Sequence, residues 1–193
     1  SLLRGAIGLL ATDTGDVSID GRPWGSLALI ERARAVAYLA QDPVVHWPLS
    51  VESVVALGRL PYEGETVAER KSVLDTIFEL TEVSHLRGRT MWELSGCERA
   101  RVLIARFFAV DADYLFADEP IAGLDPYHQL HVMGLFRAQA ALGKGLLLVL
   151  HDLSLAARYC DRVLLMADGA VQAEGSPVEV LTKDRLAAVF QIE

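Results

Sequence analysis

Apolar positions recur at two periods along the chain, and the switches between them mark out elements. The opening SLLRGAIGLL carries Leu2, Leu3, Ala6, Ile7, Leu9 and Leu10 at helical spacing and predicts a helix beginning at residue 1. GDVSIDG (15–21) alternates and ends in Asp20-Gly21, a strand running into a turn. RAVAYLAQD (34–42) predicts a strand ending at Gln41. LSVESVVALGRLPY (49–62) predicts a short helix with Ser50 as N-cap, closed by Gly58 and Pro61. Past the polar EGET, a helix over about 66–81 places Val67, Val73, Leu74, Ile77 and Phe78 at core spacing.

The second half is more strongly patterned. ELSGCERARVLIARFFAV (93–110) predicts a helix opening at Ser95-Gly96, with Val102, Leu103, Ala105 and Phe107 on its apolar face. DYLFADEP is a continuous apolar strand, the pattern of a parallel strand buried on both faces. Asp125-Pro126 opens a helix to about Leu142, with Asp as N-cap and Pro at the first helical position. Gly143 and Gly145 flank a turn into LLLVLHD, a second fully buried strand, and a short helix comes next over 153–159. RVLLMADGAVQAEG predicts a hairpin turning at Asp168-Gly169, and 177–193 a helical tail.

Strands alternating with helices predict an α/β fold around a parallel sheet. Residues about 42–94 are mostly helical and break the alternation, so they are expected to form an inserted helical subdomain. The chain has 193 residues, 52% of them hydrophobic, enough for one domain with a core. A net charge of -8 argues against a nucleic-acid partner, which selects a basic face. Phosphate ligands remain open, because main-chain N–H groups at helix starts can hold them. The two cysteines, Cys97 and Cys160, have no paired spacing, as in a reduced cytosolic protein. The longest apolar run, GLLLVL (145–150), is far below the roughly 20 residues of a membrane-spanning helix.

Ligands of open parallel sheets sit beyond the carboxyl ends of the strands. Three strands here end in polar residues: Gln41, Asp118-Glu119 and His151-Asp152. If those strands are neighbours, one edge collects an amide, two carboxylates and an imidazole. Such a set suits phosphoryl transfer with a divalent cation: one acid for Mg²⁺, the second for the attacking water, the imidazole for the terminal phosphate. Each residue alone has a plainer reading, as a solvated loop or a structural histidine. Their order is what points to chemistry.

That order resembles the ATPase subunit of an ATP-binding cassette (ABC) transporter. LSGCE (94–98) resembles the family signature LSGGQ or LSGGE, YLFADEP the Walker B strand, IAGLD (121–125) the D-loop, LHD (150–152) the H-loop and YLAQD (38–42) the Q-loop. The resemblance spans the whole chain and implies a P-loop NTPase-type parallel sheet with an inserted helical subdomain. It implies that Gln41 senses the γ-phosphate and Mg²⁺, Asp118 holds Mg²⁺, Glu119 is the general base, and His151 contacts the γ-phosphate. Ser95, Gly96 and Cys97, at a helix start, would face the ATP held by a second copy in a head-to-tail homodimer, and Asp125 would cross between the copies. The cofactors implied are ATP and Mg²⁺. The partners implied are transmembrane permease subunits and, through them, a periplasmic substrate-binding protein, with the chain peripheral on the cytoplasmic face of the inner membrane.

The chain departs from the family twice. It contains no G-x-x-x-x-G-K-[ST] phosphate loop; the GKG at 143–145 lacks the leading glycine and precedes a strand. SLLRGAIGLL resembles the family's sequence immediately after GK[ST]. Ser1 would thus stand just past that loop, and the chain would be a fragment, inactive alone, whose parent carried both the loop and an adenine-stacking aromatic. The second departure is Cys97, where the signature has glycine. Its Cβ either crowds a backbone that must approach phosphate or is tolerated as a small residue. PLSVESVVALGRLPY and GSPVEVL (175–181) resemble importers of iron–siderophore, haem and vitamin B12. Val44, Val45, Trp47 and Leu49 would then either receive the permease or fill the subdomain core. Two other readings are a degenerate, non-hydrolysing regulatory cassette and a soluble ABC ATPase uncoupled from transport.

Overall fold

A computed structural model describes residues 2–41 and 48–190, arranged as two compact units, Ser1–Val149 and Leu150–Glu193. The sheet of the first unit has three strands in the order β3 (Val36–Leu39), β4 (Tyr114–Asp118), β5 (Gly145–Val149). All pairings are parallel, with Val36 opposite Tyr114 and Leu39 opposite Ala117, then Tyr114 opposite Gly145 and Asp118 opposite Val149. The expected neighbours are therefore neighbours. Gly145 is glycine for a steric reason: a Cβ there would come within 2.7 Å of the Tyr114 ring.

Before the sheet come α1 (Leu2–Ala6), a hairpin of β1 (Ser18–Ile19) and β2 (Arg22–Pro23), and α2 (Leu29–Ala35). The turn at Asp20-Gly21 forms as expected, both residues having positive φ, 50° and 73°. The expected opening helix is cut short, because Gly8 takes φ 71° and leaves Leu9 and Leu10 exposed beyond the end. The strand expected over 34–42 is also shorter. Arg34 and Ala35 close α2, a helix with no buried residue and so no apolar stripe by which to read it.

The connection from β3 to β4 holds α3 (Val51–Ala56), α4 (Val67–Leu80) and α5 (Gly96–Ala109). Each is capped by its own sequence. Ser50 accepts the Ser53 N–H at 3.1 Å, Thr66 forms a capping box with Glu69, and Ser95 one with Glu98. Val51, Val54 and Val55 of α3 are buried, as are Phe78 of α4 and Val102 to Ala105 of α5. Val67, expected in the core, is 88% exposed; it is the first residue of α4 and points away from the packed face. Gly58, just after α3, lies so close to α5 that a Cβ would stand 2.4 Å from the Arg106 carbonyl oxygen. The neighbouring Arg59 guanidinium is buried, pairs with Glu65, donates to the Ala109 carbonyl at 2.9 Å and covers the Tyr62 ring. A buried charge so surrounded avoids the desolvation penalty of an unpaired one.

From β4 the chain enters α6 (Pro126–Ala141), with Asp125 as N-cap and Pro126 at its first position, as expected. Phe107 and Phe108 of α5 meet Phe136 of α6 edge-on or tilted, at centroid distances of 6.0 and 5.4 Å. The double-sided burial expected of the strands is not found. On β4, Leu115 and Ala117 are buried while Tyr114, Phe116 and Asp118 are half-exposed, and every residue of β5 is half-exposed. One face packs and the other stays partly open among the described residues.

The second unit contains α7 (Leu153–Tyr159), an antiparallel hairpin of β6 (Val163–Ala167) and β7 (Ala170–Gly175), then α8 (Pro177–Val180) and α9 (Lys183–Phe190). Its turn at Asp168-Gly169 takes φ values of 50° and 76°, as the sequence predicts. Val180 is fully buried where α8 packs on the hairpin.

Candidate functional site

The carboxyl ends of β3 and β4 are adjacent, and the polar residues after them meet. Gln41 Nε2 donates to Glu119 Oε1 at 2.7 Å across 78 residues of sequence. Asp118 is the last residue of β4 and Glu119 the next; both are half-buried. The Glu119 N–H donates to the Val149 carbonyl at 3.2 Å, which ties the turn to the end of β5. Glu119 takes φ 53°, a left-handed conformation unusual for a residue with a long side chain. Asp118 also makes itself felt on β3: burial first, then its charge, pushes the Tyr38 phenol above its usual value.

His151 comes two residues after β5, in the second unit, and is exposed. Asp152 caps α7, accepting the N–H groups of Ser154 and Leu155. Ser1, Asp42, Val44, Val45 and Trp47 lie outside the described residues.

The signature segment forms the start of α5. Ser95 Oγ accepts the Glu98 N–H at 3.3 Å, and Glu98 Oε2 accepts both the N–H and the hydroxyl of Ser95 at 2.8 Å. That backbone N–H and the hydroxyl hold the Glu98 carboxyl below its usual range. Gly96 is exposed, with no atom within 4 Å of where a Cβ would stand, so a bulky group can approach the first turn of α5. Cys97 is half-buried. Its sulfur lies 3.7 Å from Asp125 Oδ2 and 3.9 Å from His128 Nδ1.

Asp125 is therefore engaged within its own chain. Its Oδ1 accepts the His128 N–H at 3.0 Å and its Oδ2 lies 2.5 Å from His128 Nδ1. The backbone N–H first, then the imidazole, lowers the Asp125 carboxyl to about 2. The sequence motifs do not single out His128. Its place three residues after the N-cap is a usable sign, but the approach of Cys97 comes from packing of α5 beside α6.

The donor set fits the cation that the sequence points to. Mg²⁺ takes few protein carboxylates and completes its shell with water and phosphate oxygens, and Asp118 offers one at the strand end. The described part of the chain contains no helix long and apolar enough to cross a membrane.

A family model described as ABC transporter matches residues 1–122. The hemin import ATP-binding protein HmuV of Pseudomonas fluorescens is 41% identical over 198 residues, covering all of this chain and 77% of that protein. Its counterpart in Bordetella avium is 40% identical over 201 residues, again covering all of this chain and 77% of its own length. Among solved structures, cbiO1 from Clostridium perfringens, described as part of the ABC transporter complex cbiONQ, superposes with a TM-score of 0.80 at 27% identity, over 97% of this chain and 76% of that one. With its motifs arrayed in order along a parallel sheet of that fold, the chain belongs to the ABC transporter family.

Proposed function

We propose that this chain is the ATP-binding and ATP-hydrolysing subunit of an importer for haem or a related iron complex or cobalamin. The observation that supports it most is the 2.7 Å bond between Gln41 and Glu119 at adjacent strand ends. That bond orients a carboxylate beside the position where a terminal phosphate would lie beyond the sheet. Glu119 takes the proton of the attacking water, Asp118 holds Mg²⁺, and Gln41 links the phosphate to the neighbouring segment. Held by Asp118, Mg²⁺ would supply positive charge to offset the charge that develops on the phosphate. For His151, in the second unit, the family resemblance alone implies a γ-phosphate contact.

The second half of the site comes from a second copy, arranged head to tail. Ser95, Gly96 and Cys97 at the start of α5 face its ATP, and Asp125, which caps α6 in its own chain, ties the two sites together. The residues from about 42 to 94 serve as the inserted helical subdomain and receive the permease. The chain is peripheral on the cytoplasmic face of the membrane, and a periplasmic protein delivers the substrate. Haem is favoured because the relatives at 40% and 41% identity are named for hemin import.

The 193 residues contain no phosphate loop, so alone they are expected not to turn ATP over. Fused behind a segment ending in GK[ST], the chain should hydrolyse ATP. Glu119→Gln should then lower the rate by about 10²–10⁴ with ATP binding retained, the range for losing a general base. Mg²⁺-dependent turnover by the 193-residue chain alone overturns the first statement. A fused protein that binds ATP and stays inactive with Glu119 present points to the regulatory cassette instead.

A further inference from the structure

The starts of α5 and α6 bring three different donors together. Cys97, Asp125 and His128 each offer one ligand atom, and these atoms lie within 4.8 Å of one another. We propose that they form a binding site for a divalent transition cation of the Zn²⁺ class, separate from the Mg²⁺ position assigned to Asp118.

The separations suit such an ion. Tetrahedral Zn²⁺, with Zn–S about 2.3 Å and Zn–N and Zn–O about 2.0–2.2 Å, holds sulfur about 3.5 Å from nitrogen or oxygen. Cys97 Sγ lies 3.7 Å from Asp125 Oδ2 and 3.9 Å from His128 Nδ1. The remaining pair, Oδ2 and Nδ1, is 2.5 Å apart, the separation of a hydrogen bond whose proton an ion would displace. An ion replacing that proton opens the pair to about 3.3 Å, a small rotation of two side chains.

The surroundings support the ligands. Asp125 Oδ1 is fixed by the His128 N–H at 3.0 Å, which aims Oδ2 at the sulfur. Cys97 and His128 are half-buried and Asp125 is exposed, so a hydrated ion can enter and keep a water in the fourth position. Thiolate and imidazole select Zn²⁺ or Co²⁺ over Mg²⁺, which prefers oxygen. The exchange balances simply. The Cys97 thiol proton goes to solvent, the His128 proton moves from Nδ1 to Nε2, and the ion sheds water. No oxidant or reductant is involved.

The test uses the reduced 193-residue chain, titrated with Zn²⁺ against a competing chelator and with Co²⁺ tracked by thiolate-to-metal absorption. The expected result is one ion per chain and a cobalt–thiolate band, neither displaced by excess Mg²⁺. Cys97→Ser and His128→Gln should each weaken binding by roughly tenfold or more with circular dichroism unchanged, while Cys160→Ser should bind as before. Cys97→Gly, which keeps the helix start of the family signature, gives the same reading should the serine variant misfold. Unchanged affinity without Cys97, loss of binding without Cys160, or cobalt bound without a thiolate band overturns the proposal.

Discussion

Around Gly58 the chain is packed as closely as backbone allows; around Glu119 it is half-open and turned into a conformation glutamate rarely takes. The first region could not gain a methyl group without displacing the Arg106 carbonyl. The second holds a carboxylate against an amide, at the end of a strand with one face partly exposed. Both lie in the same unit, yet one is closed by packing and the other is left partly open. A left-handed non-glycine residue costs on the order of 1–2 kcal/mol, and that cost is tolerable only because tightly packed regions supply the stability.

Four substitutions sharpen or break this contrast. The largest effect on stability is expected of Phe78→Ala. The ring is fully buried, and its removal should cost about 3–5 kcal/mol in urea unfolding, the transfer and cavity terms acting together. Gly58→Ala should cost about 1–3 kcal/mol by overpacking; a variant as stable as the parent would mean that the turn after α3 yields easily. Glu119→Gly should leave stability unchanged or raise it by up to about 1 kcal/mol, since glycine takes φ 53° without strain. A clear loss would show that the Gln41 contact contributes to folding stability. Val67→Ser should stay within about 0.5 kcal/mol by the same measurement, because the side chain is 88% exposed.

The sequence was most legible where local rules and packing agree. Ser95-Gly96, Asp125 with Pro126, and Asp168-Gly169 each specify a helix start or turn through nearby atoms, and each forms as read. Legibility failed where the pattern had no physical counterpart. Leu29 to Ala35 form a helix with no buried side, so nothing in their periodicity announces it. Val67 has core spacing but sits in the first turn, before the packed face begins. Continuous apolar runs in β4 and β5 suggest burial on both faces, but burial depends on what covers a strand, which its own residues do not encode. At the site, the order of motifs placed Gln41 and Glu119 on one sheet edge, and their direct bond came only with the structure. The joining of Cys97 to His128 needs two helices set side by side, a relation between segments that no single stretch records.

The parallel sheet also has a kinetic consequence. β4 and β5 are joined through a single helix, whereas the bond from Gln41 to Glu119 spans 78 residues. Closing the longer loop costs more chain entropy, so contacts across β3 and β4 should be late events in folding unless α3, α4 and α5 have first shortened the gap. Pulse-labelled hydrogen exchange should then protect Leu147 before Leu39. The partners at the carboxyl edge would meet only after most of the first unit has formed.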